Sequence, residues 1–190
     1  MTEQELITAL CNQEEPAFKE LVDRFSDSVY NTALGFLQHN EDAEDIAQEV
    51  FIQVYRSIRQ FKGDSLLSTW IYRITVTKSL DHLRSRKRKK RFGFVFSIFG
   101  DNDVRSVEPG DFNHPGIIQE KKEDAAILFR MVDQLPVNQR TAFILNKVED
   151  LSYQEIADIL RTTESAVDSL LQRARQNLRK KLSQQINNKP

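Results

Sequence analysis

Hydrophobic residues recur at helical spacing over most of the chain. Near the start they fall at Leu6, Ala9 and Leu10, then at Phe18, Leu21, Val22, Phe25, Val29, Ala33, Leu34 and Leu37. Steps of three and four predict two helices between residue 2 and about residue 38. Pro16 suits the first turn of the second, where its missing N–H costs little. Ala43, Ile46, Ala47, Val50, Val54 and Ile58 form the stripe of a third helix ending near Phe61. Asn40 ahead of Glu41 and Asp42 reads as a capped start, with acidic residues at the positive end of the dipole. Asp45, Gln48, Glu49 and Arg56 share another face of the same helix. Lys62-Gly63-Asp64-Ser65 is a turn signal. A helix with Trp70, Ile71, Ile74, Val76, Leu80 and Leu83 follows, from about Leu66 to Arg88.

From about Lys89 to Gln119 the period is lost. Four of the six glycines (Gly93, Gly100, Gly110, Gly116) lie here with Pro109 and Pro115, which marks residues 91–120 as a linker. The linker is not purely polar. Phe92, Phe94, Val95, Phe96, Ile98 and Phe99 are expected to pack on a helical domain or to become ordered in a complex.

Helical spacing returns with Ala125, Leu128, Phe129 and Val132, up to the break at Leu135-Pro136. A helix over Arg140–Val148 follows. Ser152 and Glu155 then form a capping box that opens a short helix to Leu160. Arg161-Thr162-Thr163 is a tight turn, and a last helix runs from about Glu164 past Leu182. The reading is an all-α protein of two small helical domains, 1–90 and 121–190, joined by a linker. The second is a helix-turn-helix.

A net charge of -1 conceals strong segregation. Residues 41–49 are acidic, residues 84–91 read RSRKRKKR, and Arg173–Lys181 is basic again. Such segregation implies an anionic partner at the basic patches and a different partner at the acidic one. One cysteine, Cys11, allows no intrachain disulfide. His39, His82 and His114 stand far apart, without a zinc pattern. Phosphate-cradling loops and nucleophile elbows are absent, so neither catalysis nor a metal or cofactor is expected. Apolar runs fall short of the roughly 20 residues a membrane helix needs. Glu3 and Glu5 lie where a signal peptide is basic, so a cytoplasmic location is expected.

Two stretches have the chemistry of nucleic-acid contact. The last helix turns Ala166, Val167, Leu170, Leu171 and Ala174 inward and exposes Glu164, Ser165, Asp168, Ser169, Gln172 and Arg173 to a major groove, with Arg175, Arg179, Lys180 and Lys181 able to reach phosphates. Between Phe61 and Lys78, aromatic and hydroxyl residues precede a basic helix. Stacking surfaces beside positive charge hold single strands, at about 1–3 kcal/mol per stacked base. Trp70 also suits a small core.

The motifs DAEDIAQEVFIQVY (Asp42–Tyr55), FKGDSLLSTWIYRI (Phe61–Ile74) and SLDHLRSR (Ser79–Arg86) resemble the second region of the extracytoplasmic-function sigma factors, taken here as the smallest class of the housekeeping sigma family. The stretch from Leu135 to Leu182 resembles the fourth region. Together they cover well over half the chain in family order. The resemblance implies that Asp45, Gln48 and Glu49 grip the β′ clamp helices of core RNA polymerase, with the β flap as a further contact. Phe61, Lys62, Asp64, Ser65, Ser68, Thr69 and Trp70 would capture a flipped −10 base. Arg73, Thr77 and Lys78 would lie along the opened strand. Ser165, Asp168, Ser169, Gln172, Arg173 and Arg175 would read the −35 element. An anti-sigma protein would hold the free factor inactive.

Three residues depart from the family pattern. Thr77 stands where an asparagine is frequent and lacks its bidentate amide. Asp168 replaces a frequent basic residue and repels phosphate. Arg161 replaces a frequent turn glycine. The rivals set against this reading are an ordinary helix-turn-helix repressor or activator and an all-helical enzyme. The first leaves the acidic helix and the Phe61–Trp70 loop unexplained, and the second lacks a titratable cluster.

Overall fold

The computed structural model describes the backbone of residues 1–99 and 122–187, with side chains within 1–88 and 127–184. All regular structure among these residues is helical. The elements are α1 (Glu3–Cys11), α2 (Glu15–Leu37), α3 (Asn40–Ser57), a 3₁₀ turn (Ile58–Gln60), α4 (Leu67–Phe99), α5 (Lys122–Asp133), α6 (Val137–Lys147), α7 (Tyr153–Leu160) and α8 (Glu164–Asn187).

In the first domain α2, α3 and α4 pack on one another, while α1 and the 3₁₀ turn close one end. Leu6, Leu10, Leu21, Leu34, Val50, Val54, Ile58, Leu67 and Ile71 are fully buried there. In the second, α6 and α7 lie against α8. Ile144, Leu145, Ile156, Val167, Leu171 and Ala174 fill that core. The steps of four and three from Val167 through Leu178 put one stripe of α8 inward and leave the opposite face to solvent.

The short α7 is set by its ends. The Ser152 hydroxyl accepts from the Glu155 N–H at 3.3 Å, and the Glu155 carboxylate accepts from the Ser152 N–H at 2.8 Å. A 2.7 Å bond from the Ser152 hydroxyl to the Glu155 carboxylate, and then the one from the Ser152 N–H, hold that carboxyl below the usual carboxylate range. At the other end Arg161 adopts φ +53. The Thr162 N–H then reaches the Ala157 carbonyl at 2.9 Å, closing the helix in the Schellman pattern. A Cβ in this conformation costs about 1–2 kcal/mol. Arg161→Gly is therefore expected to raise the stability of the chain by about 1 kcal/mol once the extra freedom of an unfolded glycine is deducted. A denaturant midpoint measures it, and an unchanged or lower midpoint contradicts it.

Four boundaries differ from the sequence reading. His39, not Asn40, caps α3: its Nδ1 accepts from the Asp42 N–H at 3.3 Å. Gln38 ends α2 in the left-handed region at φ 54, so the chain turns one residue earlier and Asn40 is already helical. Helix α3 stops at Ser57, and the 3₁₀ turn carries the chain to Phe61. Helix α6 starts at Val137 rather than Arg140, because Pro136 supplies a fixed φ at the cap. Helix α4 continues past Arg88 to Phe99, into what the sequence suggested was linker. Lysine and arginine are good helix formers, that stretch holds no proline, and Gly93 alone costs about 1 kcal/mol. The docking expected of Phe92–Phe99 concerns side chains outside the described residues, as does the backbone of 100–121.

Candidate nucleic-acid interface

Helix α3 presents its polar residues outward. Asp45, Gln48 and Glu49 are all exposed. Ile52 is 48% exposed beside them, and Tyr55, 39% exposed, rests edge-on against Phe18 at 5.4 Å between ring centroids. This apolar continuation of the acidic face escaped the sequence reading. Its signal was available, since Ile52 and Tyr55 fall outside the stripe set by Ala43, Ile46, Val50 and Val54.

Helix α4 meets α3 on its other side. Phe61 and Trp70 pack at 5.2 Å between centroids, both half-buried against the first core. Trp70 thus serves the core and also lines a groove of about 700 Å³. Arg73, Thr77 and Lys78 from α4, Glu49 from α3 and Arg161 from the helix-turn-helix contribute to the same groove. Lys62 and Asp64 are exposed in the loop ahead of it, where Gly63 takes φ +75. Ser65 and Ser68 are half-buried. Glu3 of α1 accepts from the Leu67 N–H at 3.3 Å and so anchors the start of α4. Thr69 is only 5% exposed and does not share the surface with its neighbours.

Lys78, Arg73 and Thr77 of the groove are already engaged. Lys78 Nζ lies 3.0 Å from Glu49 Oε2, which joins a residue expected at the strand to one expected at the polymerase. Thr77 donates its hydroxyl to the Arg73 carbonyl at 2.7 Å. Arg73 donates to the carbonyls of Asp158 at 2.6 Å and Ile159 at 3.3 Å, both in the last turn of α7. Partial burial, and then the like charge of Arg161, lower the Arg73 pKa, while Asp158 opposes the shift.

On α8, Ser165, Gln172 and Arg173 are exposed, and Asp168 and Ser169 are half-buried. Asp168 accepts from the Gln172 amide at 2.9 Å, which orients the side chain best suited to an adenine edge. Arg175 turns toward α7 and donates to the Tyr153 hydroxyl at 3.4 Å. Among the described residues no group of three His, Cys, Asp or Glu could hold a metal ion. No described helix is long and apolar enough to cross a membrane.

Residues 21–89 match the family model described as Sigma-70 region 2, and residues 125–178 match Sigma-70, region 4. The chain is 30% identical over 185 residues to the RNA polymerase sigma-H factor of Pseudomonas aeruginosa, covering 95% of this chain and 93% of that protein. It is 30% identical over 182 residues to the ECF RNA polymerase sigma-E factor of Escherichia coli K12, covering 96% and 95%. Two solved structures share the fold. CnrH in complex with the cytosolic domain of CnrY gives a TM-score of 0.67 at 19% identity, over 95% of this chain and 97% of that one. The sigma factor RpoE of Bartonella quintana, in complex with the anti-sigma factor NepR, gives 0.61 at 20%, over 87% and 96%. Nothing in these matches supports the housekeeping label. With both regions in order and relatives spanned nearly end to end, the chain belongs to the extracytoplasmic-function RNA polymerase sigma factors.

Proposed function

We propose that the protein binds core RNA polymerase and directs promoter-specific initiation, reading and opening DNA at −10 and −35 elements without catalysing a reaction itself. The carrying observation is the division of labour on the first domain. The exposed face of α3 carries Asp45 and Gln48 with Ile52 and Tyr55, while the groove that α3 shares with α4 holds Trp70 among Arg73, Lys78, Arg88 and Arg161, with Glu49 at the boundary of the two and Asp81 inside the groove. One surface suits a protein partner and the other suits unpaired bases. A duplex-binding repressor has no use for either.

Within this reading, Asp45, Gln48 and Glu49 meet the β′ clamp helices, with Ile52 and Tyr55 adding apolar area. Phe61, Lys62, Asp64, Ser65, Ser68 and Trp70 shape the pocket for a flipped base, and Thr69 supports it from below. Arg73, Thr77 and Lys78 line the path of the strand. Ser165, Asp168, Ser169, Gln172 and Arg173 face the −35 duplex, and Arg175 reaches its backbone. Residues 1–90 act as the polymerase and −10 module, and residues 121–190 act as the −35 module and meet the β flap. The solved RpoE carries an anti-sigma factor, which supports the same mode of control here, in the cytoplasm where polymerase works.

Core polymerase supplemented with this chain should transcribe from promoters selected out of a randomised pool, and core alone should not. Arg173→Ala should weaken the holoenzyme for the selected −35 element and lower the slope of log affinity against log salt by about 1 if Arg173 meets a phosphate. If it meets a base, the slope should hold and preference at one position should relax, with a loss of about 1–3 kcal/mol. A variant that changes neither affinity nor preference removes α8 from the reading.

A further inference from the structure

The two domains touch along a surface that neither promoter element explains. Its contacts form a reciprocal pattern. From the second domain, the Arg140 guanidinium donates to the Phe36 carbonyl in the last turn of α2 and is held from behind by Asp133. From the first domain, Arg73 donates to the Asp158 and Ile159 carbonyls in the last turn of α7. The final carbonyls of a helix lack partners within it and carry the negative end of the dipole. Each domain therefore caps a helix of the other with an arginine. Gln38 of the first domain donates to the Phe129 carbonyl at 2.8 Å, and Tyr72 donates to Glu149 at 3.0 Å.

Packing agrees with the polar pattern. Gly35 of α2 faces Ile144 of α6 so closely that a Cβ there would lie 2.9 Å from its Cγ2. Ile144 is fully buried, so a Cβ at Gly35 must displace a packed core side chain. Arg140 is 4% exposed and stacks over the Phe36 ring at 5.5 Å. A guanidinium buried to this degree belongs to a built contact, not to a solvated surface.

The contact occupies the strand-reading helix. While Arg73 caps α7 its Nε and one Nη2 donor are committed there and not to a phosphate, and Arg161 walls the groove beside Trp70 and Lys78. The recognition face of α8 stays exposed. We propose that the free protein masks itself: reciprocal arginine caps close the second domain over the −10-reading face of α4, and that face becomes available only when the domains part. The masking half of this inference rests on the role proposed for α4, whereas the closure does not.

The test uses the full chain with Cys11→Ser and dye labels on Glu44→Cys and Gln176→Cys, both exposed positions. Energy transfer reports closure. A labelled single strand carrying the selected −10 sequence reports availability of α4. The free protein should show a single high-transfer state that is lost in the holoenzyme. Gly35→Ala should shift the free protein to low transfer, even though alanine favours the helix that contains it. Glu149→Lys, which removes the acceptor for Tyr72, should do the same from the other domain. Both should raise strand affinity of the free protein by about tenfold or more, each 1.4 kcal/mol of lost closure being one factor of ten. Low transfer in the unsubstituted free protein at about pH 5, where the Glu149 carboxyl holds its proton, overturns closure. High transfer that the variants abolish without a gain in strand binding overturns masking, provided the holoenzyme binds the strand. A holoenzyme that does not bind it overturns the role given to α4 and leaves closure standing on the transfer data.

Discussion

Glu49→Lys should weaken association with core polymerase by about a hundredfold while leaving the protein folded. Glu49 is exposed on α3, with its side chain 56% accessible, and it pairs with Lys78. An exposed pair of this kind contributes about 0.2–1 kcal/mol, so losing it does not threaten the domain. At an interface the arithmetic changes. A face bearing Asp45 and Glu49 calls for a cationic partner, and removing one member of a desolvated charge pair costs about 2–5 kcal/mol. Reversal adds repulsion to that loss. A second variant separates the two accounts. Joining Lys78→Glu to Glu49→Lys restores the internal pair with its polarity swapped. If Glu49 matters only through Lys78, the double variant recovers core binding. If Glu49 itself meets the polymerase, it does not recover. Titration of labelled protein with core polymerase reads the result, and undiminished binding by Glu49→Lys removes α3 from the interface.

How much of this was visible in the chain varies by element. The buried stripes of α2, α3 and α8 were legible because one helix repeats its buried side every three or four residues, whatever it packs against. The capping box of α7 was legible because Ser152 and Glu155 complete it within four residues. The cap of α3 was misread by one position. The deciding event is the left-handed turn at Gln38, and glutamine carries no signal for it. Helix α4 outran its expected end because loss of amphipathic pattern is not loss of helix: beyond the core a helix needs no apolar stripe.

The proposed functional surfaces divide along the same line. Local motifs placed the α3 face, the Phe61–Trp70 turn and the exposed side of α8. The engagement of Arg73 with α7, and of Arg140 with α2, was not legible. Those partners lie 85 and 104 residues apart, and such pairings leave no period in a sequence. Glu149 was passed over for the same reason, since alone it looks like an ordinary surface acid.

That last pair gives the closed state a pH dependence. Burial pushes the Glu149 carboxyl up from its ordinary 4.5 to about 7, against the opposing hydrogen bond from Tyr72 of α4. Tyr72 is itself shifted upward, chiefly by burial and then by Glu149, with Glu155 of α7 adding to the shift and Ser28 of α2 opposing it, so it remains a donor throughout. When the domains part, Glu149 meets water and returns to its ordinary value. Below about 4.5 the carboxyl is protonated in both states and the closed contact keeps its full strength. Between there and about 7 the open form has lost its proton while the closed form keeps it, so the balance moves steadily toward opening. Above that range the loss is complete. A difference of about two and a half units corresponds to about 3 kcal/mol, or on the order of a hundredfold in the closed-to-open ratio. The labelled chain should therefore show energy transfer that falls as the pH is raised from about 5 to about 8. Glu149→Gln is neutral at every pH and can still accept from Tyr72, so it should flatten the profile and hold the protein closed at its alkaline end. A profile that falls equally in Glu149→Gln assigns the titration to another group, and one that rises with pH contradicts the burial of this carboxyl between the domains.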